Sequence, residues 1–188
     1  MTAAAARAAR LTAIIGDDAW SMTQLRRVRA LGLNDWAIGA GFVRALAWDR
    51  LTAKPTRTPL ADVDVLHFDP ASLSPDAERT LEARLFAEDP EIPWSVKNQA
   101  RMHLRNGDPP YRSTADALTG WLETPTCVAA RLEADDRLTI IAPFGLDDLF
   151  ALRVAPTPAG RRKLGQYHAR LAAKDWARHW PFARIERE

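Results

Sequence analysis

The sequence predicts an α+β fold: a mixed β-sheet flanked by helices, with a helical C-terminal extension. Two observations carry this expectation. Short apolar segments with strand character alternate with segments of helical period. One pair of these segments, 126–132 and 137–141, is joined by the polar run Glu133-Ala134-Asp135-Asp136, which reads as a hairpin. Strands that alternate with helices and also include a hairpin argue for a sheet with both parallel and antiparallel pairs.

In chain order, residues 1–10 are alanine-rich with Arg7 and Arg10 and read as a frayed or helical lead-in. Helices follow over 11–15 and 20–31, the second capped by Asp17 or Asp18 and ended by Gly32. A turn at Leu33-Asn34-Asp35 leads to a short strand over 36–38, and 42–51 has helical spacing. Pro55 and Pro59 make 52–60 a loop before a second strand over 61–68. Ser74-Pro75-Asp76 starts a helix running to about Phe86, with proline in its favoured first turn. The segment 94–104 fits strand or helix by period; we assign it as a strand. Ser113 caps a helix over 113–122, and a short helix covers 146–152. Pro156 and Pro158 mark a joint, and 161–180 reads as one long helix stopped by Pro181.

Composition sets wide bounds. The chain has 188 residues, 47% hydrophobic and 27% charged, which suits one globular domain with a core that needs no disulfide. Its one cysteine, Cys127, excludes an intrachain disulfide, agrees with a reducing compartment and reads as a buried apolar residue. With 26 basic and 24 acidic residues the net charge is only +2. The clusters Arg26-Arg27-Arg29 and Arg161-Arg162-Lys163 read as solvated helix faces. There is neither a membrane-length apolar run nor the apolar core of a secretory signal, so a cytoplasmic location is expected.

The chemistry-bearing stretch lies between Trp36 and Asp69. The short strand meets Gly39-Ala40-Gly41, and a helix begins at once with Phe42-Val43-Arg44. Glycines at a helix start let backbone N–H groups approach a bulky anion. The next strand carries Asp62 and Asp64, which the two-residue period of a strand places on one face, with Val63 and Val65 on the other. Adjacent carboxylates repel unless a cation sits between them. A phosphate cradle beside a divalent-metal clamp is the arrangement nucleotidyl transfer needs. Arg44, in the first helical turn, either reaches a phosphate or pairs with an acid such as Asp49. If 94–104 is a strand, Lys97, Gln99, Arg101 and His103 share a face and make a recognition surface, or else a solvated sheet edge, while Asn98 needs a buried partner. His103 lacks a second His or Cys at ligand spacing, and Asp147 and Asp148 read as helix N-terminal acids.

These residues resemble the nucleotidyltransferase superfamily of DNA polymerase β and the tRNA CCA-adding enzymes. The runs Ile38-Gly39-Ala40-Gly41-Phe42-Val43-Arg44, Val96-Lys97-Asn98-Gln99-Ala100-Arg101-Met102-His103 and Ala142-Pro143-Phe144-Gly145-Leu146-Asp147-Asp148-Leu149, in this order, are similar to a smaller, mostly bacterial nucleotidyltransferase-like family over about residues 20–180. The resemblance implies one nucleotidyltransferase-like domain over 1–188, with 1–15 as lead-in and 159–188 as C-terminal helix. It implies Mg²⁺ on Asp62 and Asp64, and an NTP held by Gly39, Gly41, Arg44, Lys97 and Arg101. The expected activity is transfer of a nucleoside monophosphate to a small molecule, a protein side chain or an RNA end. Superfamily members usually carry a third carboxylate on a later strand. Ser95 stands there in this chain, and Asp69 is the alternative acid. A catalytically weak or inactive nucleotide-binding sensor or interaction protein is therefore the rival reading. An RNA-binding module is weaker, because the chain lacks a net basic field, and no DNA partner is expected.

Overall fold

A computed structural model describes residues 2–174 and 176–187. The first helix, α1 (Ala3–Gly16), is capped by the Thr2 hydroxyl and buries Leu11 and Ile15, so the lead-in is a packed element of the fold. After α2 (Ala19–Ala30) come β1 (Ala37–Gly39), α3 (Gly41–Leu51) and β2 (Val63–His67). Helix α4 (Pro75–Glu88), with Ser74 as cap and Pro75 in its first turn, precedes β3 (Trp94–Asn98). Helices α5 (Gln99–Asn106) and α6 (Thr114–Leu118) follow, then the hairpin β4 (Ala129–Leu132) and β5 (Leu138–Ile141). The chain closes with α7 (Asp147–Phe150), β6 (Arg153–Val154), α8 (Pro158–Arg162), α9 (Leu164–Lys174), α10 (Trp176–His179) and β7 (Arg184–Ile185).

The main sheet has five strands in the order β3-β2-β1-β4-β5. Only β2 and β3 are parallel; β1 runs antiparallel to both β2 and β4, and β4 to β5. The α+β expectation holds. Val63, Val65, Val96, Ala130 and Leu132 turn to one face, where they pack with apolar residues of α1, α2 and α3 in the main core. The opposite face carries only a small cluster around Ala37, Leu66, Leu118 and Ala129. That difference leaves room for a cleft. No helix among the described residues is long and apolar enough to cross a membrane.

Three sequence assignments need correction. The 94–104 strand ends at Asn98, whose side chain accepts the Ala100 N–H and caps α5. Lys97, Gln99, Arg101 and His103 therefore do not share a sheet face. Asn98 also finds its partners in the Asp69 and Ser72 carbonyls, both 2.7 Å from its amide nitrogen. The 161–180 helix is divided: its first turns start earlier, at Pro158, and the chain leaves helical geometry at Lys163. Residue 175, within that predicted helix, lies outside the described residues. Finally, the C-terminus is not purely helical, because β7 pairs in parallel with β6.

The edge strand β3 is protected by side chains. Glu82 and Glu78 of α4 accept the Val96 and Asn98 N–H groups, each at 2.8 Å. Glu78 also takes Nε and Nη2 of Arg101 at 2.7 and 2.5 Å. Burial alone would raise the Glu78 pKa, but the bonds from Arg101 and the Asn98 N–H outweigh it and hold the carboxyl below its usual value. A depressed carboxylate pKa contributes stability above the unfolded pKa, and that stability is lost as pH falls through the folded one. Glu78→Gln should therefore destabilise by about 2 kcal/mol at pH 7. The gap from wild type should narrow as pH falls below the usual carboxylate range, as urea denaturation at pH 7 and at acid pH will measure.

Candidate functional site

The site begins at the junction of β1 and α3. Ala40, the residue before the helix, has φ 53° and ψ −121°, a conformation that a Cβ disfavours by about 1–3 kcal/mol. It is held there from both sides: its N–H donates to the Val128 carbonyl at 3.0 Å, and its carbonyl accepts the Arg44 N–H at 2.9 Å. No side chain caps α3. The N–H groups of Gly41, Phe42 and Val43 make no hydrogen bond to protein among the described residues. An eleven-residue helix thus presents its positive end uncapped.

Gly41 lines a cleft of about 570 Å³, within the size range of small-ligand pockets. The loop around Thr58 and Leu60, the open face of β2 and β3, and helices α5 and α9 form its other walls. Asp62, one residue before β2, and Asp64 within it both line the cleft and are half-buried, while Val63 and Val65 are buried on the far face. The spacing argument therefore holds for the pair. Burial, and then the charge of Asp62, push the Asp64 carboxyl up to about 6, although Lys174, Arg170 and Arg44 pull the other way. Two hard oxygen donors that repel each other suit a divalent cation that keeps water and substrate oxygens as its remaining ligands. No group of three His, Cys, Asp or Glu side chains that could hold a metal occurs among the described residues.

Arg44 lines the same cleft but is only 6% exposed. Its guanidinium lies over the rings of Trp176 and Trp48, 5.1 and 5.9 Å from their centroids. Nη1 donates to Thr126 Oγ1 at 3.0 Å. Among the described residues Nε has no partner, nor has Nε1 of the buried Trp176 beside it. Burial brings the guanidinium down to about 10, against the opposing pull of Glu123. Arg44 is therefore not a surface ion pair with Asp49. It is a buried cation that borders the cleft.

The other predicted residues are placed differently. Gly39 lies inside the sheet, where a Cβ would meet Leu66 Cδ1 at 3.2 Å and the Val128 carbonyl at 3.4 Å. It permits strand packing and does not line the cleft. Lys97 does line it, with its ammonium held by Glu82 at 2.8 Å. Arg101 is outside the cleft and is bound to Glu78. Ser95 is the register partner of Asp64, so the position of the expected third acid is on the same sheet face as the pair. Asp69 is not part of the cleft wall; its carboxylate accepts the Ala71 N–H. Cys127 is buried, as its apolar reading predicts, and burial raises its thiol pKa.

The sequence reading missed the wall supplied by α9. Gln166, Arg170 and Lys174 recur every four residues and all line the cleft. That period was visible in the sequence but lacked a partner surface to give it meaning.

A mixed sheet with a glycine-flanked helix start facing two carboxylates defines a nucleotidyltransferase-type architecture. The sequence model of the nucleotidyltransferase family matches residues 26–185, and the chain belongs to that family. A solved NMR structure described as revealing a CCA-adding enzyme head domain is 30% identical, with 94% of each chain covered and a TM-score of 0.84. An apo form of a tRNA-processing enzyme shares the fold at 20% identity and a TM-score of 0.53, over 86% of this chain and 44% of that one. No curated protein sequence matches the chain. The chain is thus nucleotidyltransferase-like, of a type that generally uses divalent metals and NTP substrates.

Proposed function

We propose that the cleft binds an NTP together with Mg²⁺ and transfers its nucleoside monophosphate to an acceptor hydroxyl. The observation that carries this reading is the uncapped start of α3, with the fixed cation of Arg44, in one cleft with Asp62 and Asp64. The N–H groups of residues 41–43 bind phosphate oxygens, and the helix dipole favours their charge. Arg44 adds a cation that needs no reorganisation, because Trp48, Trp176 and Thr126 already fix it. Mg²⁺, held by Asp62 and Asp64, would neutralise charge on the transferring phosphoryl group. The low-dielectric wall around Asp64 and Arg44 strengthens each of these attractions. The acceptor is a small molecule, a protein side chain or an RNA end.

A specific observation favours a second reading, nucleotide binding with little turnover. Ser95 occupies the register position beside Asp64, and a serine is a poor base near neutral pH. We expect weak transfer by the wild type with common NTPs. Ser95→Asp should lower the melting temperature of the metal-free protein by crowding a third carboxylate onto the pair. It should also raise Mg²⁺ affinity roughly tenfold, in line with one added charged ligand. Calorimetric Mg²⁺ titration and radiolabelled NTP turnover read both arms. Robust wild-type transfer that Ser95→Asp impairs would place the base elsewhere. A crystal structure with Mg²⁺ and a non-hydrolysable NTP tests the whole arrangement, and phosphates found away from Gly41 would overturn it.

A further inference from the structure

Glu123 is fully buried, yet it is a carboxylate with half its capacity unused. Its Oε1 accepts Arg170 Nε at 2.6 Å, while Oε2 is buried without a partner among the described residues. Its backbone is fixed: the carbonyl accepts the Thr126 N–H at 3.0 Å, and the residue bridges to Pro156. The Arg170 side chain is 43% exposed and lines the cleft. Only its Nε is engaged; Nη1 and Nη2 make no hydrogen bond among the described residues. One edge of the guanidinium is therefore pinned inward, and the terminal fork is left for the cleft. Arg44 lies in the same electrostatic neighbourhood, with the Glu123 charge as the largest influence opposing its burial.

A buried ion pair seldom returns much net stability. A fork held at one edge, by contrast, is suited to bidentate contact with phosphate. We propose that Arg170 is a phosphate-binding residue of this cleft and that Glu123 is the positioning residue that aims it. The inference rests on the nucleotide reading above and extends it to a wall of the cleft, α9, whose residues that reading does not use. The ligand chemistry is a polyphosphate: the triphosphate of the substrate or the pyrophosphate released from it.

Inorganic tripolyphosphate with Mg²⁺ is the probe, because it has no base or sugar, and calorimetry on the full chain is the readout. Arg170→Ala should weaken binding roughly 10- to 100-fold, as expected for loss of charge-assisted bonds. Arg170→Lys should lose about tenfold, because an ammonium cannot both hold Glu123 and present two fixed donors. Glu123→Gln should weaken binding about threefold or more, although it removes a negative charge beside an anion site. In the Arg170→Ala background Glu123→Gln should add nothing, because the two act as one unit. If Arg170→Ala fails to fold with Glu123 left unpaired, the double variant Glu123→Gln with Arg170→Met removes both charges and should show the same loss. Tighter binding by Glu123→Gln, or independent effects of the two changes, would overturn the positioning role. Binding that needs Asp62 and Asp64 but ignores Arg170 would sink this inference and leave the nucleotide reading standing. Binding that also ignores the aspartates, or no binding by the wild type, would remove both.

Discussion

Changing Asp62 and Asp64 together to asparagine should abolish Mg²⁺-dependent NTP binding while the metal-free protein melts at the same temperature or higher. The two halves of this result come from one geometry. In the folded chain the pair shares a half-buried cleft wall, and burial with the charge of Asp62 holds the Asp64 carboxyl at about 6. A carboxyl raised above its unfolded pKa makes the folded state less stable as pH rises through that value. The metal-free wild type is therefore destabilised at neutral pH, by about 2–3 kcal/mol. Asparagine removes that penalty. It also removes both anionic oxygen donors, so the cation and the phosphates it neutralises lose their anchor. Calorimetry with Mg²⁺ and a panel of NTPs reads the binding arm, and thermal melting in chelator reads the other. Unchanged binding by the double variant would exclude the site.

The legibility of this site followed the length of the periodicity involved. Asp62 and Asp64 needed only a period of two and one strand, and the structure keeps them on the cleft face with Val63 and Val65 behind. The α3 start was legible because glycine at Gly41 and the helical run after it are local signals. The segment 94–104 was misread because an apolar strand and an amphipathic helix look alike over ten residues. The deciding feature was Asn98, whose short amide is a helix cap and not a strand residue. Once α5 starts there, Arg101 falls to Glu78 and the supposed row of cations disperses. Arg170 and Glu123 were invisible for another reason. They are 47 residues apart, and only the tertiary fold makes one the support of the other.

Asp49 gives the clearest case of a residue whose meaning lies in three distant segments. It falls on related turns with Phe42 and Leu46, an acid on the apolar side of α3, and that misplaced charge was the available signal. In the structure it is 6% exposed and accepts three short bonds. The Thr58 N–H and hydroxyl donate at 2.7 Å each, and Trp180 Nε1 donates at 2.9 Å. Trp180 in turn stands edge-on to Trp48, with ring centroids 5.0 Å apart. Asp49 thus ties α3 to the loop that carries Thr58 and to the C-terminal tryptophan, and all three border the cleft. Asp49→Ala would leave these donors buried without an acceptor. The expected loss is about 3–5 kcal/mol, and the melting temperature should fall by roughly 10 °C. Asp49→Asn keeps one acceptor oxygen but turns an amide toward a donor, and should cost about half as much. Because the loop wall loosens with the hub, NTP affinity should fall in both variants, and in the order of their destabilisation. Thermal melts and calorimetry on the two variants measure both quantities. If Asp49→Ala melts within about 2 °C of wild type, the three segments are held by tryptophan packing alone, and the hub has no energetic role.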